Sequence, residues 1–207
     1  MHLALDSALG SGSAAVCAGG KLLAHQEIAG KGMQAKLLVS TIEQVLALAG
    51  VGYEELDSII CTTGPGTFTG IRIALATARA IGFTAHKPVK GVSTLACIAY
   101  GFGAPCMAIL PAGKDMVYAQ HFSEKLQQQS DAVLISNSEL STVNIPIVTA
   151  TVSDLVDAEQ CIAQKIALNA ALIGKLAMDA QAAHLLTAPD PLYIRPPDIT
   201  TPKTKIA

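Results

Sequence analysis

The chain has 207 residues, of which 51% are hydrophobic, 4% aromatic and 14% charged, with no tryptophan and a formal net charge of -2. That balance leaves no broad basic surface able to hold a phosphate backbone by counterion release, so a nucleic acid would have to be gripped by a partner. The length allows one large domain or two small lobes, and two lobes of similar size fit best. With so few aromatics the core has to be built from Ala, Leu, Ile and Val.

Mean hydropathy is +0.44, and the run from Gly91 to Gly113 carries no charge. Gly101, Gly103, Pro105 and Pro111 break that run into pieces far short of the roughly 20 apolar residues of a membrane-spanning helix. The start of the chain, with His2 and Asp6 around a short apolar stretch, lacks the basic region and longer apolar run of a signal peptide. A cytoplasmic protein without membrane contact is expected. Cys17, Cys61, Cys97, Cys106 and Cys161 stand singly among apolar residues and read as small buried hydrophobes, without a catalytic role.

The first thirty residues predict three strands, His2 to Asp6, Ser13 to Ala18 and Lys21 to Ala29. Gly19-Gly20 supplies the two positive φ angles that a type I′ hairpin needs. A helix over Met33 to Ala49 ends at Gly50, a left-handed cap. Leu38, Ile42, Val45, Leu46 and Ala49 share one face, while Leu37, Val39 and Leu48 widen the apolar arc beyond what one side of a sheet requires.

Ser58 to Thr62 predicts a buried strand running into a glycine loop. Thr69 to Ala85 predicts a helix charged only at Arg72 and Arg79, apolar enough to be covered on more than one side. A strand at Val89 to Val92 and a short helix from Ser93 to Tyr100 follow. Cys106 to Pro111 and Met116 to Phe122 form a hairpin around Ala112-Gly113-Lys114-Asp115. Ala132 to Ile135 and Ile145 to Thr149 read as strands, and Glu159 to His184 as helical with interruptions at Asn169 and Gly174. The proline-rich tail from Pro191 forms no regular element. This order suggests an α/β protein of two ribonuclease-H-like lobes, the architecture shared by actin, sugar kinases and Hsp70 (the ASKHA type).

Thr62-Thr63-Gly64-Pro65-Gly66-Thr67-Phe68-Thr69-Gly70 is the sharpest local feature. It is neither a Walker A loop nor GxGxxG. Two readings stand, with the first preferred: a tight strand-to-helix turn, or an anion cradle built from Gly64, Gly66, Thr67, Thr69 and Gly70 at a helix start. Asp6 either caps a turn or holds a magnesium-bound nucleotide, and the cap is preferred because no matching Asp-x-Gly hairpin recurs in the second half. His2, His25, His86, His121 and His184 form no HxxxH or HExxH pair, so no metal site is expected.

Residues 58 to 80, SIICTTGPGTFTGIRIALATARA, resemble the signature of the TsaB (YeaZ) family, followed as there by Gly91-Val92-Ser93. The opening LALDSA is similar to that family's first strand, and Pro191-Leu192-Tyr193-Ile194-Arg195 to its closing element. The resemblance implies an ASKHA fold with lobes over 1–103 and 104–207 and a tail packing back on the first. It implies a non-catalytic subunit in N6-threonylcarbamoyladenosine formation at position 37 of tRNAs, dimerising with and activating TsaD, together with the ATPase TsaE. The TsaD contact is implied to lie on the first two helices: Met33, Leu37, Leu38, Thr41, Ile42 and Val45, then Arg72, Leu75, Ala76 and Arg79. TsaD carries an HxxxH metal pair on its first helix, where this chain reads MQAKLLVS.

No cofactor is expected on this chain alone, whereas ATP or ADP could sit in the assembled complex, and tRNA would be contacted only indirectly. Alone, the same face could make a homodimer. The chain departs from many relatives at Met33, where they have His, and at Pro111-Ala112-Gly113-Lys114, where they have Asp-Ala-Arg. The alternative reading is an enzyme, a small-molecule kinase or a glycoprotease-like hydrolase.

Overall fold

A computed structural model describes residues 1–30, 32–103, 105–140, 142–151 and 163–194. Cys161, Arg195 and the beginning of the helix expected from Glu159 lie outside them. The chain opens with β1 (His2–Asp6), β2 (Gly12–Ala18) and β3 (Lys21–Ile28), an antiparallel meander. Its second turn uses Gly19 at φ 56° and Gly20 at φ 76°, the type I′ geometry the pair predicts. Helix α1 (Gln34–Ala49) stops at Gly50, in the left-handed region, whose N–H donates back to the last turn. Then follow β4 (Ser58–Gly64), α2 (Phe68–Ala85), β5 (Val89–Ser93) and α3 (Thr94–Phe102).

The second half contains β6 (Cys106–Gly113), β7 (Met116–Phe122), β8 (Val133–Ser136), α4 (Asn137–Leu140), β9 (Ile147–Thr149), β10 (Ala163–Lys165), α5 (Ala170–Met178) and β11 (Leu186–Thr187). The helix expected up to His184 is corrected here. Asn169 does not interrupt a helix but starts one, its side chain accepting the Leu172 N–H at 3.1 Å as N-cap. The residues just before it lie in β10 and a connection.

The two sheets repeat one order. In the first, β3-β2-β1-β4-β5 has β1 to β3 antiparallel and β4 and β5 parallel to β1, with β11 added beside β5. In the second, β8-β7-β6-β9-β10 has the same senses. This is the ribonuclease-H-like order twice over, and the fold is α/β with two mixed sheets.

Strand alternation divides the core. Leu3, Leu5, Ala14 and Val16 face α1 and α2, packing with Leu38, Ile42, Ile71 and Ala78. Ala4, Ala15, Cys17 and Ile60 face the other way, toward α3, α5 and the second sheet. Because helices cover both faces, β1 and β2 are buried at nearly every position.

The small residues on the inner face let α5 approach closely. A Cβ built on Gly174 would lie 2.3 Å from Cys17 Sγ. Gly174→Ala is therefore expected to lower unfolding free energy by about 1–3 kcal/mol through overpacking. In urea titrations Cys17→Ala should recover most of that loss in the double variant. Additive losses would show that this contact does not set the α5 position.

Candidate functional site

The glycine loop closes on the β1–β2 turn of its own chain. The Thr67 N–H donates to Ala8 O at 2.7 Å, and Ser7 Oγ donates to Gly70 O at 2.6 Å. Thr67 caps α2, its Oγ1 accepting the Gly70 N–H at 3.2 Å. Gly64 has φ 108° and is joined to Pro65 by a cis peptide. A Cβ on Gly66 would lie 2.5 Å from Ala8 O, and one on Gly70 1.9 Å from Ser7 O, so both glycines are required by backbone contact.

The structure thus brings Asp6, Gly64, Gly66, Thr67 and Gly70 into one unit and leaves Thr69 exposed on the first turn of α2. The geometry is that of the turn reading. Two of the amides a bound anion would use, those of Thr67 and Gly70, are already taken by Ala8 O and Thr67 Oγ1. Beside the loop a cleft of about 390 Å³ runs between Leu9, Gly66 and Thr67 on one wall and Leu110, Pro111 and Tyr118 on the other, and among the described residues none that lines it is charged. The corresponding hairpin of the second sheet brings Pro111-Ala112-Gly113 where the first brings Asp6, and Lys114 is exposed at its turn.

Asp6 is buried and acts as the cap of its turn, Oδ1 accepting the Ala8 N–H at 3.2 Å and the Thr62 hydroxyl at 2.8 Å. Burial outweighs those hydrogen bonds and pushes its carboxyl from 3.8 up to about 6. Four cysteines, Cys17, Cys61, Cys97 and Cys106, are buried free thiols. Burial raises each of them, Cys17 and Cys106 to about 11 and Cys61 to about 12, so a nucleophilic thiolate is disfavoured. Among the described residues no group of three or more His, Cys, Asp or Glu could hold a metal ion, and no helix is long and apolar enough to cross a membrane.

The ten residues expected at a partner surface divide. Leu38, Thr41, Ile42, Val45 and Leu75 are buried beneath the helices against the first sheet, which corrects their placement on a surface. An apolar arc read from sequence merges the stripe that faces the core with the one that faces outward. Met33 and Leu37 are half-buried, and Arg72, Ala76 and Arg79 are exposed. The two arginines hold the residues after β11. Arg79 Nη2 donates to Pro189 O at 2.6 Å and to Asp190 Oδ1 at 2.9 Å. Arg72 lies 3.6 Å from the centre of the Phe68 ring and donates through Nε to Tyr193 Oη at 3.0 Å.

Leu192 N–H donates to Thr63 O at 2.8 Å, so residues 189–193 strap the side of α2. The resemblance implied a tail packing back on the first lobe but named none of these contacts. Tyr193, one of four tyrosines in an aromatic-poor chain, was the available signal. The large apolar residues left exposed on the two helices are Val39 (58%), Leu48 (70%), Phe83 (82%) and, beside Arg72, Phe68 (40%).

The Asp6 shift has a definite sign. Between about pH 4 and pH 6 the folded state holds a proton the unfolded chain has lost, so the stability from neutral Asp6 is full below that window and disappears as pH rises through it. The loss amounts to about 3 kcal/mol. Asp6→Asn keeps an acceptor for Thr62 and cannot ionise. The stability of the natural chain relative to this variant should fall by about that amount between about pH 4 and pH 7 in urea titrations. A constant difference would mean that Asp6 is ionised throughout.

Comparison with known proteins places this geometry. The family model described as TsaD: tRNA N6-adenosine threonylcarbamoyltransferase matches residues 27–146. The chain is 31% identical over 99 residues to the tRNA threonylcarbamoyladenosine biosynthesis protein TsaB of Escherichia coli, covering 48% of this chain and 42% of that protein. It is 32% identical over 97 residues to the TsaB of Haemophilus influenzae, covering 47% and 41%. The chain thus spans less than half the length of these curated relatives. A crystal structure from Pseudomonas aeruginosa, described as an uncharacterized protein with similarity to peptidase YEAZ, superposes with a TM-score of 0.76 at 25% identity over 94% of this chain and 99% of that one. With more than half of its residues matched by the family model and this fold shared over 94% of its length, the chain belongs to the family of TsaD and, within it, to the TsaB (YeaZ) group.

Proposed function

We propose that the chain is a non-catalytic subunit in formation of N6-threonylcarbamoyladenosine at position 37 of tRNAs, dimerising with TsaD and activating it, with TsaE joining the pair. The observation that carries this reading is membership of the TsaB group combined with large apolar side chains left exposed on α1 and α2, Phe83 foremost. An unpaired apolar surface on helices already packed against a sheet favours association with another protein. The residues that make the contact are then the outward ones: Met33, Leu37, Val39 and Leu48 on α1, and Ala76 and Phe83 on α2.

Several features support a role without chemistry of its own. The glycine loop is filled by the chain's own turn, and among the described residues its neighbouring cleft carries no basic lining residue and the four thiols are buried. A nucleotide in the system therefore belongs to the assembled complex, and tRNA contact is made by the partners. In the absence of TsaD the same apolar helices pair two copies of the chain.

Reconstitution with the cognate TsaD and TsaE tests the proposal. Phe83→Asp should weaken association with TsaD at least about tenfold, equivalent to about 1.4 kcal/mol, with the melting temperature unchanged, and tRNA modification should fall in parallel. Modification that proceeds equally without the chain, or an unaffected complex, would refute it.

A further inference from the structure

A second cleft, of about 520 Å³, opens between the two sheets and shares no lining residue with the cleft beside the glycine loop. Its size is within the about 300–1,000 Å³ usual for small-molecule sites. The first sheet contributes Thr63 at the end of β4 and Ser93 at the end of β5. The second contributes Gln120 on β7 and Asp131 in the connection after it.

Two oxygens in this lining lack partners among the described residues. Gln120 is only 4% exposed, and while its Nε2 donates to Ser130 O at 3.1 Å, its Oε1 accepts nothing. Ser93 Oγ is likewise buried and unpaired. Leaving a buried polar group unsatisfied costs about 1–3 kcal/mol, which a bound donor or acceptor would recover.

The two walls ask for opposite chemistry. Ser93 is the N-cap of α3 and makes no side-chain cap bond, so its hydroxyl stands at the partially positive end of that helix. The other hydroxyls on that wall have spent their hydrogens: Thr63 donates to Val92 O at 3.1 Å and Thr187 to Ala188 O at 3.2 Å. The opposite wall presents an amide oxygen and a carboxylate, Gln120 Oε1 and Asp131. Among the described residues no Lys, Arg or His lines the cleft, and the remaining carboxylate, Asp190, is paired with Arg79 at 2.9 Å.

We infer that this cleft binds a small zwitterion, its carboxylate against Ser93 Oγ and the start of α3, its ammonium against Gln120 Oε1 and Asp131. The site depends on these residues and not on docking to TsaD, so it stands or falls separately from the proposed function.

The test is titration of the full chain, followed by NMR shifts of the Ser93 and Gln120 resonances, with three zwitterions of increasing span: alanine, β-alanine and γ-aminobutyrate. Propylamine and propionate are the single-charge controls. At least one zwitterion should bind saturably, at least about tenfold more tightly than either control. Ser93→Ala should erase its advantage over propylamine, and Asp131→Asn or Gln120→Met its advantage over propionate. Asp131 is exposed, so its variant retains the fold and keeps the test interpretable should Gln120→Met unfold. The inference is overturned if none of the three zwitterions saturates, if propionate or propylamine binds as tightly, or if the substitutions weaken every probe equally.

Discussion

The position of α2 follows from one backbone contact, the seating of the glycine loop on the carbonyls of Ser7 and Ala8. No side chain fits at Gly66 or Gly70 while those carbonyls stay where β1 and β2 hold them. The hydrogen bonds from Thr67 N–H to Ala8 O and from Ser7 Oγ to Gly70 O then fix the first turn of the helix to the first hairpin. Once α2 is so placed, Ile71, Ala74 and Ala78 fall into the core and Arg72 and Arg79 fall outside it. From there the arginines reach residues 189–193, bringing the end of the described chain beside β4 and forming one wall of the second cleft. A turn that looks suited to a phosphate is thus used to orient a helix.

Much of this was legible in the sequence where the signals are local. Gly19-Gly20 and Gly50 sit at positive φ because only such a backbone completes a type I′ turn or a left-handed cap, and both can be read without a structure. The alternation in β1 and β2 was less informative, since apolar residues face helices on both sides. Within the site, Asp6 as a turn cap and the glycine loop as a tight turn were legible for the same local reason. The individual contacts of the strap were not, although the resemblance implied a tail packing back on the first lobe: Arg79 and Asp190 are 111 residues apart, and nothing in either local pattern announces their pairing. Asn169 shows the converse, a cap residue before an apolar run that reads as a helix interruption when the helix is extended backward through it.

The two sheets repeat one strand order, yet only the first carries a carboxylate at the end of its leading strand. In the second, proline and glycine occupy that end, and among the described residues the cleft between the two hairpins is lined without charge. Phosphate chemistry in such a cleft needs fixed positive groups or a cation held by carboxylates, acting where water is excluded. Among the described residues the lining of this cleft presents neither. The buried Asp6 instead accepts the Ala8 N–H and the Thr62 hydroxyl, a structural use of a residue placed where a functional one could stand.

This division of labour bears on how the molecule presents its surface. Helices α1 and α2 bury one stripe each against the first sheet, and the arginine ridge of α2 is covered in part by the chain's own strap. What remains exposed and apolar, Val39, Leu48 and Phe83, lies outside both contacts. Burying a large apolar side chain contributes about 1.5–3 kcal/mol, so covering even Phe83 alone would be a substantial gain on association. The strap therefore does more than tie down an end: it pairs Arg72 and Arg79 within the chain, so that the side chains of α1 and α2 left without a partner element are the apolar ones, Val39, Leu48 and Phe83.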